Sequence, residues 1–417
     1  MVKALFIFMN QPGLLPDLFR SEYRNIVSVL AYSFGIKHVE MVEDIVSDTF
    51  LSATEEWSIK GTPDNPRAWL YAVARNKFRN HLKREALFEK KISRELSGNE
   101  TTDEPELDFS VKNIADSQLA MIFTICNPVN SAESQIALAL NLLCGFGVQE
   151  IADAFLTNKD VVYKRINRAK EKLKEAEIAI RQPMPKEIPG RLPNVLMTLY
   201  LLFSEGYYSA SQNTILRRDF CDEAMRLNMM LIDNKLTDTP ATKALYALMC
   251  FHASRFDARQ NEQGEIVLYE DQDDLKWDRE LITRGSYFLN FASVGNEVSR
   301  FHLEAAIAYW HTHKEDTSEK WEKILDYYNH LLVLEYSPIA ALNRTFALSK
   351  VRGKEAAIAE AEKLQLIDNA HYFSLLGHLY AGVDNDLARR NFEKALLLVS
   401  SPTNRTTILR HLAKLGC

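Results

Sequence analysis

Cysteine is scarce in this chain of 417 residues. Its five cysteines, Cys126, Cys144, Cys221, Cys250 and Cys417, form no CxxC pair and leave an odd count. A disulfide framework and a cysteine-ligated metal are therefore not expected, and the usage suits a reducing cytoplasm. Apolar runs are short, and none approaches the roughly 20 residues that span a bilayer. The opening MVKALFIFMN has one Lys, a brief apolar stretch and no small-residue cleavage site, so no signal peptide is expected. Neither sign of charge dominates: 50 Lys and Arg against 56 Asp and Glu leave a net charge of -6. That excludes a uniformly basic nucleic-acid coat but permits local basic patches. P-loop, GxSxG, HExxH and Gly-rich dinucleotide fingerprints are all missing. No enzyme, catalytic residue, cofactor or metal is expected, although an all-helical carboxylate enzyme could draw on Asp271, Asp273 and Asp274.

Helical periodicity is what the chain has in abundance. Its length suits two to three domains, and its pattern predicts an all-α fold. The most telling stretch runs from Ala137 to Leu173. Val148 to Phe155 reads as a short amphipathic helix. Leu156 and Thr157 break it, and Asn158 can cap the next helix by accepting from a first-turn amide. From about Lys159 to Leu173, Val162, Ile166, Ala169 and Leu173 recur at helical spacing. The opposite face carries Lys159, Tyr163, Lys164, Arg165, Asn167 and Arg168. Two helices joined by a tight turn, the second basic, make a helix-turn-helix pattern suited to the major groove.

Upstream, Leu18 to Phe34 is amphipathic through Phe19, Tyr23, Ile26, Val27, Leu30 and Tyr32. Val39 to Trp57 follows, with Val42, Ile45, Val46, Thr49, Phe50, Ala53 and Trp57 as its inner stripe. Glu43, Asp44, Ser47 and Asp48 are expected outside. Gly61, Pro63 and Pro66 mark a loop. The helix from Arg67 to Lys91 is expected to turn Trp69, Ala72, Val73 and Asn76 inward. Its outside is basic, with Arg75, Lys77, Arg79, His81, Lys83 and Arg84. Aromatic and basic residues interleaved beside a polar loop suit single-stranded DNA, with bases stacking on rings and cations following phosphates. Leu96 to Phe109 is acidic and reads as a flexible tether. The expected divisions are 1–92, a linker at 93–112, 113–181, and 192–417 beyond a proline-rich second linker from Gln182 to Pro193. The last part is helical almost throughout. Ile339 and His371 open two similar segments about 32 residues apart, close to the tetratricopeptide period. Ala388, Phe392 and Ala395 are expected as packing knobs. His311 and His313 alternate on a helix end and are expected at the surface.

These residues resemble the extracytoplasmic-function sigma factors of the sigma-70 class. Asp44 to Phe50 is similar to the family's region 2.2, although Ser47 stands where the family usually has Gln. Pro66 to Asn76 with His81 to Arg84 resembles regions 2.3 to 2.4. Val161 to Lys170 resembles region 4.2. The match spans roughly Leu15 to Ala179. The remainder looks like the subfamily with a long tetratricopeptide-like extension, through Phe203 to Ala210, Glu270 to Asp273 and Ala340 to Arg344.

The resemblance implies core RNA polymerase and promoter DNA as partners, a cytoplasmic location and no membrane. It implies polymerase contact through Asp44, Ser47 and Asp48. It implies minus-ten contact through Asp64, Asn65, Arg67, Trp69, Arg75, Lys77, His81, Lys83 and Arg84. Minus-thirty-five contact falls to Asn158, Lys159, Tyr163, Lys164, Arg165, Asn167 and Arg168. The acids Glu100, Asp103, Glu104, Glu106 and Asp108 would thread the polymerase's basic channels. The C-terminal domain would regulate, through a protein partner or an intramolecular contact. The alternative is a conventional helix-turn-helix regulator with a tetratricopeptide-like partner domain, acting without being a polymerase subunit. The Arg67 helix separates the two, because a simple regulator has no need of it.

Overall fold

The structure, a computed structural model, describes residues 14–92, 107–155, 157–208, 217–260, 267, 269–399 and 402–415. Among the described residues there are 19 α-helices and no strand. None of these helices is long and apolar enough to cross a membrane. The chain divides into two compact units, Met1–Leu201 and Leu202–Cys417.

The first unit begins with α1 (Leu14–Phe34), α2 (Val39–Lys60) and α3 (Pro66–Ile92). On α1, Phe19, Tyr23, Ile26, Val27 and Leu30 are buried, as their spacing predicts, whereas Tyr32 is 37% exposed. On α2 the stripe from Val42 to Ala53 is buried, while Trp57 is half-buried and meets Trp69 edge to face. Gly61 ends this helix at φ 82°, a backbone that residues with a Cβ rarely adopt.

The phase of α3 departs from the expectation. Leu70, Ala74 and Phe78 are its buried residues, whereas Ala72 and Asn76 are exposed and Trp69 and Val73 half-buried. A strict i, i+4, i+8 stripe holds the three largest-burial positions together, and Phe78 packs against Phe34 with ring centroids 4.1 Å apart. Burial of a Phe contributes roughly 1.5–3 kcal/mol, more than Ala72 and the amide of Asn76 offer.

The same unit continues with α4 (Val111–Ile125), α5 (Ala132–Leu138), α6 (Val148–Ala154) and α7 (Lys159–Glu175). A π-helical turn, Ala139–Leu143, follows α5. The expected tether ends early. Of its acids only Asp108 lies among the described residues, and its carboxylate accepts from the Ser110 amide at 2.8 Å. Glu100, Asp103, Glu104 and Glu106 lie outside them.

The proline-rich stretch is not wholly a linker. It enters α8 (Ile188–Tyr208), which contains both Pro189 and Pro193. Pro189 sits in the first turn, where amides have no intrahelical acceptor, so it removes no hydrogen bond. The beginning of α8 is fastened to α4 and α5. Asn194 Nδ2 donates to the Cys126 carbonyl at 2.7 Å, and Thr198 Oγ1 donates to buried Gln135 Oε1 at 2.6 Å. The division between units therefore falls inside α8 and not at the prolines.

The second unit runs through α9 (Arg218–Asp233), α10 (Pro240–Ala253), the short α11 (Phe256–Arg259), α12 (Arg279–Ala292) and α13 (Arg300–Trp310). Six more complete it: α14 (Ser318–Leu334), α15 (Pro338–Arg352), α16 (Lys354–Leu364), α17 (Ala370–Tyr380), α18 (Asn385–Leu398) and α19 (Pro402–Leu415). From α13 onward each helix packs on the next. Ala388, Phe392 and Ala395 are buried as expected, with the Phe392 ring pressed against Gly377. The described stretch from Tyr269 to Gln272 is held by a cation: Lys314 Nζ donates to the carbonyls of Tyr269, Glu270 and Gln272, each at 2.9 Å. His311 is not the surface residue expected. Its ring lies against Tyr269 and Trp321, and burial, aided by Arg255 and Lys320, pushes its pKa down to about 3. His313 is exposed.

Candidate nucleic-acid interface

The two helices expected on either side of the turn form, as α6 and α7. Asn158 caps α7, its side chain accepting from the Asp160 amide at 2.8 Å. Val162, Ile166, Ala169 and Leu173 are buried. Outward, Tyr163 is 56% exposed, Lys164 and Arg168 are exposed, and Lys159, Arg165 and Asn167 are half-buried. Tyr163, Lys164, Asn167 and Arg168, at three- and four-residue spacing, share one face of the helix, the geometry that a major groove accepts.

The basic face of α3 is more engaged. Arg67 Nε lies 3.0 Å from Glu22 Oε1, and Tyr71 donates to the same carboxylate at 2.5 Å. Glu22 is buried, and its pairing with Arg67 and Tyr71 holds the start of α3 against α1. Burial, then the bond to Glu22, raises the Tyr71 pKa. Arg75 is half-buried; its Nη2 donates to the Leu107 carbonyl at 3.1 Å and its guanidinium lies over Phe109. Asn65 accepts from the Ala68 amide at 3.0 Å and so caps α3. Asp64, Arg67, Lys83 and Arg84 are exposed, and Lys77 and His81 half-buried. Trp69 and Trp57 form an aromatic pair beside the loop at 61–65.

The two modules meet through charge. Lys170 on α7 is almost wholly buried and reaches Glu43 on α2 at 2.5 Å. Lys174, one turn on, reaches Glu40 at 2.7 Å. Arg20 on α1 bonds Glu150 on α6 at 3.0 Å, and Gln118 Nε2 donates to Asn25 at 2.7 Å. Glu43 therefore does not face solvent as expected. Burial raises its pKa, and Lys170 opposes that rise. Asp44 and Asp48 do stay exposed, with Ser47 half-buried. From the sequence Glu22 and Lys170 were given no pairing role and Glu43 was placed outside. One signal was available: Lys170 follows Ile166 by one turn on the apolar stripe, where a buried cation requires an acid.

The arrangement is an all-helical unit that carries two helices with basic faces, α3 and α7. Residues 18–87 match sigma-70 region 2, and residues 191–293 match DUF6596, a family of unknown function. Uncharacterized protein R00370 of Rhizobium meliloti (strain 1021) is 32% identical over 388 residues, covering 90% of this chain and 91% of that protein. RNA polymerase sigma factor CnrH of Cupriavidus metallidurans is 32% identical over 152 residues, 34% of this chain and 76% of that protein. No solved structure matches the chain. The chain belongs to the sigma-70 family of RNA polymerase sigma factors, as an extracytoplasmic-function member with a C-terminal extension. Its general partners are accordingly core RNA polymerase and promoter DNA.

Proposed function

We propose that the chain directs initiation in the cytoplasm, with α1 to α3 docking on polymerase and opening the minus-ten element while α7 reads the minus-thirty-five groove. Asp44, Ser47 and Asp48 are the polymerase contacts. Asp64, Trp69, Lys77, His81, Lys83 and Arg84 hold the melted strand, joined by Asn65, Arg67 and Arg75 when their internal partners release them. The observation that carries this reading is a capped basic helix with an exposed face, Tyr163, Lys164 and Arg168, in the same unit as the region 2 match. A conventional regulator would have no use for that match.

The two elements are separated by about 25 base pairs, roughly 85 Å of duplex. Glu43 and Lys170, on the helices that would serve them, are 2.5 Å apart. In this reading the packed unit is a resting form, and α7 leaves α2 when promoter is bound. The C-terminal unit, a tetratricopeptide-like stack in this reading, regulates the exchange. Run-off transcription with purified core polymerase and a promoter library tests it: specific transcripts that require the chain are expected, and neither initiation nor core association would overturn it. A truncation that separates the regulatory unit belongs after Tyr208, because ending near Gln182 strips away the part of α8 fastened to Gln135.

A further inference from the structure

Within the second unit a groove of about 510 Å³ runs along the outer face of α9. It lies inside the stretch that matches the family of unknown function. From α9 it is lined by Asp222, Met225, Arg226, Met229, Met230 and Asp233. These positions repeat at three and four residues, so they share one helical face. The opposite wall is Tyr246, Ala253, Phe256 and Leu281, with Arg284 among them. Its floor is therefore thioether and aromatic, an adaptable surface of the kind that accepts apolar side chains.

The charges around the groove are unequal in their commitments. Arg226 is paired with Glu223 at 2.8 Å and Arg284 with Glu280 at 2.6 Å. Arg217 is paired with Asp219 at 2.8 Å, and Arg218 with Asp257 at 2.6 Å. Each of these four arginines thus has a carboxylate that is not part of the lining. Asp222 and Asp233 have neither a hydrogen-bond nor an ion-pair partner among the described residues. Desolvation, then Asp219 and Glu223, raises the Asp222 pKa, and Arg218, already paired with Asp257, opposes the rise. Eleven positions separate the two acids, which at 1.5 Å per residue is about 16 Å, or three helical turns.

We propose that this groove receives an amphipathic helix of a partner protein, with its apolar face on the methionines and a Lys or Arg near each end meeting Asp222 and Asp233. Helix-in-groove recognition uses anchors at three- and four-residue spacing, which is the periodicity the groove itself presents. The pairing of two uncommitted acids with an apolar floor favours a basic helix over an acidic or neutral one.

The test uses the full chain and two labelled synthetic peptides of about 16 residues, long enough for the three-turn groove. Both carry Leu at helical spacing; one has Lys near each end and the other Glu. Fluorescence anisotropy is expected to show saturable binding of the Lys peptide and none of the Glu peptide. Asp222→Asn and Asp233→Asn should each weaken binding about two- to fivefold, as exposed ion pairs do. Met229→Lys, which places a charge on the apolar floor, should weaken it about tenfold or more. Far-UV circular dichroism of each variant confirms that the helices persist. Equal binding of the two peptides, or affinity unchanged in both Asn variants, would overturn the proposal. So would concentration-dependent dimerisation abolished by Met229→Lys, because the occupant would then be a second copy. These outcomes are read without polymerase and are independent of the initiation assay.

Discussion

The two basic helices of the first unit carry similar charges in different circumstances. The face of α7 that bears Tyr163, Lys164 and Arg168 is exposed, and its cations Lys170 and Lys174 are spent on α2. On α3 the engagement is on the side proposed to hold DNA, where Arg67 meets Glu22 and Arg75 meets the Leu107 carbonyl. A helix that reads duplex can be presented ready-made, because the groove is there before binding. A helix that holds melted DNA has no ligand until strands part, and internal partners satisfy its cations meanwhile.

The sharpest way to break this comparison is on α7. Replacing Arg165 and Arg168 together by Ala should abolish promoter selectivity, about 1–3 kcal/mol for each base contact, while leaving core association intact. Footprinting and core pull-down measure the two separately, and loss of both together would contradict the division of labour. Lys170→Met should cost the packed arrangement about 3–5 kcal/mol, because it leaves Glu43 buried without its cation. The double change Lys170→Met with Glu43→Leu should recover most of that loss. Thermal unfolding of the four-member cycle tests both statements.

The remaining changes sharpen the contrast with the second unit, which is held by packing. Gly377→Ala would set a Cβ 2.6 Å from the Phe392 ring. Its helix propensity gain of about 1 kcal/mol should be outweighed by overpacking, leaving a net loss of up to about 2 kcal/mol. The melting temperature reports it. His311 should make the second unit acid-sensitive. Its folded pKa of about 3 lies below that of an unfolded histidine, so its contribution is present above about pH 6.5 and declines as pH falls toward 3. His311→Phe should flatten the melting temperature between pH 7 and 5.

Where one periodicity ruled, the sequence was legible. The last part, expected to be helical almost throughout, forms successive helices such as Arg279–Ala292 and Ser318–Leu334. The Asn158 cap and the stripe of α7 were readable because each depends on neighbours in sequence. The phase of α3 was not, since Trp69 and Val73 lie one residue from Leu70 and Ala74 and the two stripes compete. Glu22 with Arg67, and Glu43 with Lys170, pair across 45 and 127 positions, beyond any local pattern. The stretch from Gln182 to Pro193 was read as a linker because its prolines are visible in sequence. The contacts of Asn194 and Thr198 that hold α8 together are not.

The central claim is that α2 and α7 rest together and part on the promoter. Donor and acceptor dyes at the exposed positions Glu55 and Glu171 would measure it by energy transfer. The account predicts high transfer in the free chain and its near disappearance in a transcribing complex, where the elements lie roughly 85 Å apart. High transfer that persists during initiation would contradict it.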